Sequence, residues 1–238
     1  MNERNRPLKN QVWAWGVHLF TASGAALGLF SLFAIAEGDF TTATILMLIA
    51  LFVDAADGTL ARAARVTEFA PKIDGRRLDD IIDYLNFVIV PACFMWSASA
   101  VIHSGWLALP VLASAYGFSR VDAKTEDDFF LGFPSYWNIL AIYLWMLGVS
   151  PAVGTIWVAV LSLGVFVPMK YLYPSKVDPI SLRVALGVGA ILWTAALVAC
   201  VVWPVQMAAR FVPEISLLYP AWYMGLSATR GGWFRRGT

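Results

Sequence analysis

VDAADGTLARAARVTEFAPKIDGRRLDDIIDY, residues Val53 to Tyr84, places carboxylates at helical spacing inside a chain that is otherwise strongly apolar. Asp54 and Asp57 are three positions apart, and Asp79 and Asp83 are four apart. On a helix, residues at i, i+3 and i+4 share a face, so each pair projects to one side. Gly75, one turn before Asp79, leaves an open patch of backbone beside the second pair. Two such faces opposed across a hairpin make an oxygen-rich cage suited to hard divalent cations.

The surrounding chain sets the solvent in which that cage must exist. Its 238 residues are 59% hydrophobic and 14% charged, against about 45–50% and about 25% in an average soluble domain. This composition predicts an all-α polytopic membrane protein, one membrane-embedded domain over 1–238 with its acidic motif at 54–83. A net charge of +1 gives no nucleic-acid footprint. The first apolar run, Val12–Ala36, is too long for a signal-peptide core and reads as a retained span. Cys93 and Cys200 lie in apolar segments and read as small buried hydrophobes rather than a disulfide pair.

A membrane helix needs about 20 mostly apolar residues. Val12–Ala36 and Phe40–Ala56 supply the first two spans, and a third starts near Asp79 and passes a kink at Pro91. Trp106–Ser119 reads as a shorter fourth, followed by a charged loop over 120–130. A fifth opens at GFPSYWN, a sixth runs from about Ala152 to Tyr173, a seventh covers Leu182–Trp203, and an eighth runs from Ile215 to Ala228. About eight transmembrane helices with both termini cytoplasmic put every Lys and Arg except Arg210 on the inner side. The acidic cluster then lies at the cytoplasmic ends of spans two and three.

The plain reading of these acids is helix caps or partners of nearby Arg. It suits Asp80, which lies off the Asp79/Asp83 face. It does not suit the other four, because a carboxylate at membrane depth costs about 2.5–3.5 kcal/mol and Arg62 is the only cation within those helical segments. Two divalent ions about 3.5–4 Å apart could bridge the carboxylates and clamp a diphosphate. Gly58 and Gly75 would admit a nucleotide close to the backbone, and Arg62 offers a guanidinium fork for phosphate oxygens.

Asp54-Ala-Ala-Asp57-Gly58-Thr-Leu-Ala61-Arg62, followed by Gly75-Arg-Arg-Leu-Asp79-Asp-Ile-Ile-Asp83, resembles the CDP-alcohol phosphotransferase signature DxxDGxxAR…GxxxDxxxD at every fixed position. The gap of twelve residues between Arg62 and Gly75 is longer than in many members. That gap, the extra spans and DAKTEDDFFLGFPSYWN at Asp122–Asn138 are together similar to the phosphatidylcholine synthase branch of bacteria. The resemblance implies condensation of CDP-diacylglycerol with choline, dependent on Mn²⁺ or Mg²⁺ as two ions, at the cytoplasmic side of a bacterial inner membrane. It implies Asp54, Asp57, Asp79 and Asp83 as metal ligands, with Asp83 also the catalytic base. It implies Asp57, Gly58, Ala61, Arg62 and Gly75 as the CDP-diacylglycerol site. Dimers are common among such proteins, so a homodimer is a further expectation, alongside membrane lipid as a partner.

Choline is a quaternary ammonium that aromatic faces hold by cation–π contact. Tyr84 follows Asp83, and Tyr136, Trp137 and Asn138 open span five after the acidic loop residue Glu126. These form the expected choline-binding set. Interfacial enrichment of Trp and Tyr is the plainer account of the aromatics. His18 and His103 have no sequence partner with metal-like spacing and receive no chemistry. The acid-rich loop favours a cationic acceptor over serine, inositol phosphate or glycerol phosphate. A cation-coupled transporter is the other class of reading; its sites lie near the midplane of repeated halves, and no repeat is visible here.

Overall fold

The computed structural model describes residues 7–125 and 127–233. Glu126 and the terminal arginines Arg4, Arg6, Arg235 and Arg236 lie outside the described residues. Among the described residues the regular structure is helical apart from one short two-stranded ribbon. The chain packs as two compact units, Met1–Phe94 and Met95–Thr238.

In the first unit, α1 (Leu8–Ala36) and α2 (Phe40–Ala64) form a hairpin. Gly38 turns it in the left-handed region at φ 75°, and Asp39 caps α2 by accepting from the Thr42 amide at 2.9 Å. The inward face of α1 is a stripe of Ala14, Val17, His18, Thr21, Gly24, Gly28 and Ser31, small enough for close helix contact. Leu19, Phe30, Phe33 and, on α2, Phe52 point outward and stay exposed, as lipid-facing side chains do.

The twelve-residue gap is structured. Arg65 ends α2 in the left-handed conformation, its amide bonded to the Ala61 and Arg62 carbonyls. A single turn, α3 (Val66–Phe69), follows. Val66, Phe69 and Ala70 bury against Ala14, Val17 and Ala64. Asp74 caps α4 (Gly75–Tyr84) through the Arg77 amide at 3.2 Å. The helix passes through a π-helical stretch, Leu85–Ile89, into α5 (Val90–Ser97). This wide turn lies just before Pro91, which cannot donate to the residue four back, so the expected kink takes the form of a π segment.

The second unit holds α6 (Ala108–Ser119), α7 (Trp137–Met146), α8 (Pro151–Phe166), α9 (Ile180–Val202), α10 (Pro204–Ala208), α11 (Val212–Ser216) and α12 (Leu218–Arg230). β1 (Phe129–Leu131) pairs antiparallel with β2 (Lys170–Leu172), Phe130 opposite Tyr171. The expected sixth span to Tyr173 is corrected here. Its helix stops at Phe166, because Lys170–Leu172 is drawn into the ribbon by residues that the sequence presents as loop. Gly132 turns out of β1 at φ 85°, a conformation glycine adopts without strain. Among the described residues, three helices, α1, α2 and α9, are long and apolar enough to cross a membrane by length and composition, as in a membrane protein. The other expected spans fall on helices of 10 to 16 residues, or on the α4–π–α5 run.

Candidate active site

α2 and α4 bring Asp54, Asp57 and Asp79 together. One ligand oxygen from each lies within 4.8 Å of the others. Asp57 is buried and the other two are half-buried. Such a donor set, all carboxylate oxygen, fits a hard cation such as Mg²⁺ or Mn²⁺ better than a thiophilic metal. Asp83 stands outside this triad, one turn along α4 from Asp79. The charges of Asp54, Asp79, Asp57 and Asp80 all act on its carboxyl. Asp80, which the sequence reads as a helix cap or a partner of the nearby arginines, therefore still contributes to the field of the cluster.

Arg62 is exposed at the end of α2 and folds back over its own helix. Its Nη2 donates to Thr59 Oγ1 at 3.1 Å, and a Cβ placed on Gly58 would stand 3.5 Å from its Nη1. Among the described residues Arg62 forms no ion pair. Ala61, one position before it, packs against the cluster that holds α3. Gly75 begins α4 and faces α1, where its Cβ would stand 3.4 Å from His18 Cε1.

Contributions from α1 are what sequence reasoning missed. Thr21 hydrogen-bonds the Asp57 carboxylate. His18, one turn before it, is 6% exposed and its Nε2 has no hydrogen-bond partner. Leaving such an atom buried costs about 1–3 kcal/mol. Farther along the helix, Gly24 and Gly28 set the depth of α4. A Cβ on Gly24 would stand 2.7 Å from Ile82 Cγ2, and one on Gly28 2.9 Å from Asn86 Oδ1. Asn86 Nδ2 donates to the Gly24 carbonyl at 2.9 Å and to the Ile82 carbonyl at 3.1 Å, pinning the two helices. The signal was present as a Gly24…Gly28 small-residue spacing in span one, which carries no chemistry of its own.

The expected choline residues fall in different settings. Tyr84 is half-buried at the end of α4. Trp137 is fully buried, with Nε1 donating to Ser114 Oγ at 2.8 Å and its ring edge-on to Phe133. The Tyr136 hydroxyl meets the Tyr223 hydroxyl at 3.3 Å. Asn138 is fully buried, and neither Nδ2 nor Oδ1 has a partner. Among the described residues of the acidic loop, Asp122, Asp127 and Asp128 are each paired with a cation. Lys170 Nζ meets Asp127 at 2.6 Å, Lys176 Nζ meets Asp128 at 2.6 Å, and Arg120 makes a two-pronged pair with Asp122 at 2.8 and 2.7 Å. The cationic partners hold the Asp127 and Asp122 carboxyls below the usual carboxylate range.

Asp54, Asp57 and Asp79, gathered from α2 and α4 within the pattern DxxDGxxAR…GxxxDxxxD, are consistent with the CDP-alcohol phosphotransferase class. No family model matches the chain, but curated relatives do. It is 44% identical to the phosphatidylcholine synthase of Legionella pneumophila over 169 residues, which is 69% of this chain and 66% of that protein. It is 37% identical to that of Legionella bozemanae over 87% of this chain and 98% of that protein, and 39% identical to that of Pseudomonas aeruginosa over 71% and 72%. The chain belongs to the phosphatidylcholine synthase family.

Proposed function

We propose that this chain transfers the phosphatidyl group of CDP-diacylglycerol to choline, giving phosphatidylcholine and CMP. The observation that carries the reading is the convergence of Asp54, Asp57 and Asp79 beside Gly58, supported by the names of the relatives. Asp54, Asp57 and Asp79, with Asp83 at the edge, would hold Mn²⁺ or Mg²⁺, as two ions. Bound there, the cations would offset charge on the transferred and leaving oxygens.

The protein's own groups carry the rest. Arg62 holds diphosphate oxygens with its planar fork. Gly58, Ala61 and Gly75 leave room for the CDP moiety against the helix backbones. The Asp83 carboxylate takes the proton from the choline hydroxyl as that oxygen attacks the phosphorus bearing diacylglycerol, and CMP departs. Aromatic faces would hold the trimethylammonium group, Tyr84, Tyr136 and Trp137 being the candidates for this, with Asn138 and Glu126 the remaining residues of the expected choline set. The reading also includes about eight spans, cytoplasmic termini, a site on the cytoplasmic side of a bacterial inner membrane, a single membrane-embedded domain over 1–238, and a homodimer.

The test is CMP release by detergent-purified protein given CDP-diacylglycerol and Mn²⁺ with choline, serine, inositol, glycerol phosphate or no acceptor. The expected result is release with choline alone, abolished by EDTA. Release with a different alcohol would keep the class and discard choline. No release from folded protein with any acceptor would overturn the reading.

A further inference from the structure

We infer that Asn86 is a positioning residue: its amide fixes which face α4 turns toward α1, and with it the placement of Asp79 and Asp83. This rests on the reading above only in taking Asp79 as a ligand of a divalent cation. Asp79, Ile82, Asp83 and Asn86 stand at i, i+3, i+4 and i+7, one face of a helix. Asn86 is buried, 4% exposed, about one turn beyond Asp83. Its Nδ2 donates across to the Gly24 carbonyl at 2.9 Å and back to the Ile82 carbonyl at 3.1 Å. A carbonyl oxygen has two lone pairs, so each can take this bond beside a helical one.

A second face of α4 competes for the same contact. Leu78, Ile81 and Leu85 have the same spacing one residue earlier and are wholly apolar. Turning α4 by one residue, roughly 100°, would set Ile81 and Leu85 where Ile82 and Asn86 now meet Gly24 and Gly28. Leu78 and Ile82 would then stand in the places of Asp79 and Asp83. Ile81 is 64% exposed in the observed setting. In a membrane that exposure costs little, because lipid tails are as apolar as leucine, and interhelical hydrogen bonds do more than apolar area to select an interface. Of the two faces, only the one bearing the carboxylates carries an amide that can bond Gly24. Helix continuity does not make the choice either. Val90 bonds the Leu85 carbonyl five residues back, and this wider π turn lets α4 be set independently of α5. The contact with α1 therefore sets the rotation, and Asn86 is its directional part.

The experiment uses the full chain in detergent. Mn²⁺ alone is titrated into wild type, Asn86→Leu and Asn86→Thr, with the free ion followed by electron paramagnetic resonance. Thermal melts and CMP release over a series of Mn²⁺ concentrations accompany it. Leu is close to Asn in shape and leaves no buried donor unpaired, so the fold should be kept. Thr can still bond the carbonyl one turn back and loses only the bond to Gly24. Both variants are expected to bind Mn²⁺ about tenfold more weakly, the size of one interhelical hydrogen bond, with Tm little changed. Activity should fall at low Mn²⁺ and return at saturating Mn²⁺, because the ion selects the rotation that holds it. A residue needed only for packing would lower Tm and leave the Mn²⁺ affinity of the folded protein alone. Wild-type Mn²⁺ affinity in either folded variant, or failure of both to fold, would overturn the proposal. A wild type that binds Mn²⁺ and releases no CMP would remove the phosphatidyl transfer reading and leave this one standing, whereas a wild type that binds no Mn²⁺ would overturn this one.

Discussion

Two acidic regions of this protein look alike in sequence and differ in structure. In the first unit, Asp54, Asp57 and Asp79 converge on one another from two helices, with their oxygens within 4.8 Å. In the second, Asp122, Asp127 and Asp128 each meet a cation, Arg120, Lys170 and Lys176 in turn. Like charges gathered on opposing helix faces repel unless something positive joins them, so such a cluster is stable when a ligand does. Acids each bonded to their own lysine or arginine on an exposed ribbon hold a loop in shape and ask for nothing further. The difference is one of geometry, since both regions are runs of Asp near Arg or Lys.

Substitutions can break this contrast, and the largest effect is expected at Asp83. Asp83→Asn should lower choline-dependent CMP release about 10²–10⁴-fold, the range for a lost general base, with little change in Tm. Activity within tenfold of wild type would remove Asp83 from proton transfer. Arg62→Lys keeps the charge and loses the fork. We expect about a tenfold rise in the CDP-diacylglycerol KM with Tm unaltered, and an unchanged KM would show that the guanidinium does not touch the diphosphate. Gly24→Val forces a side chain into the space held by Ile82 and should cost about 1–3 kcal/mol in stability. Thermal melts would show it, and activity should fall only as far as α4 is displaced.

The smallest effect is expected in the second region. Asp127→Asn should leave CMP release unchanged, because the Lys170 pair is exposed. The Lys170 ammonium holds the Asp127 carboxyl below its ordinary value. The pair therefore stabilises the fold at neutral pH, where the carboxyl is charged in both folded and unfolded chains. That contribution is lost as pH falls through the lowered value, below the usual carboxylate range. Melts of wild type and Asp127→Asn should differ slightly at neutral pH and converge in strong acid. A fall in activity or in choline affinity would instead return this loop to the substrate site.

The sequence by itself determined the apolar surroundings and the carboxylate cluster within them. Apolar runs broken by Asp at three- and four-residue spacing can be read without a fold, because helical periodicity alone puts Asp54 with Asp57 and Asp79 with Asp83 on common faces. It also located the helices, although the one over 151–166 stops before Lys170–Leu172. Whether a short segment pairs as a strand depends on a partner forty residues away, and no local pattern encodes that. Tertiary structure alone decided that the twelve-residue gap folds as a capped turn on Ala14 and Val17. It decided that Asp127 and Asp128 are paired. It also placed Thr21 and His18 beside the motif. Those facts rest on contacts between residues far apart in the chain, and spacing within one helix carries no information about which side chains a second helix will present to it.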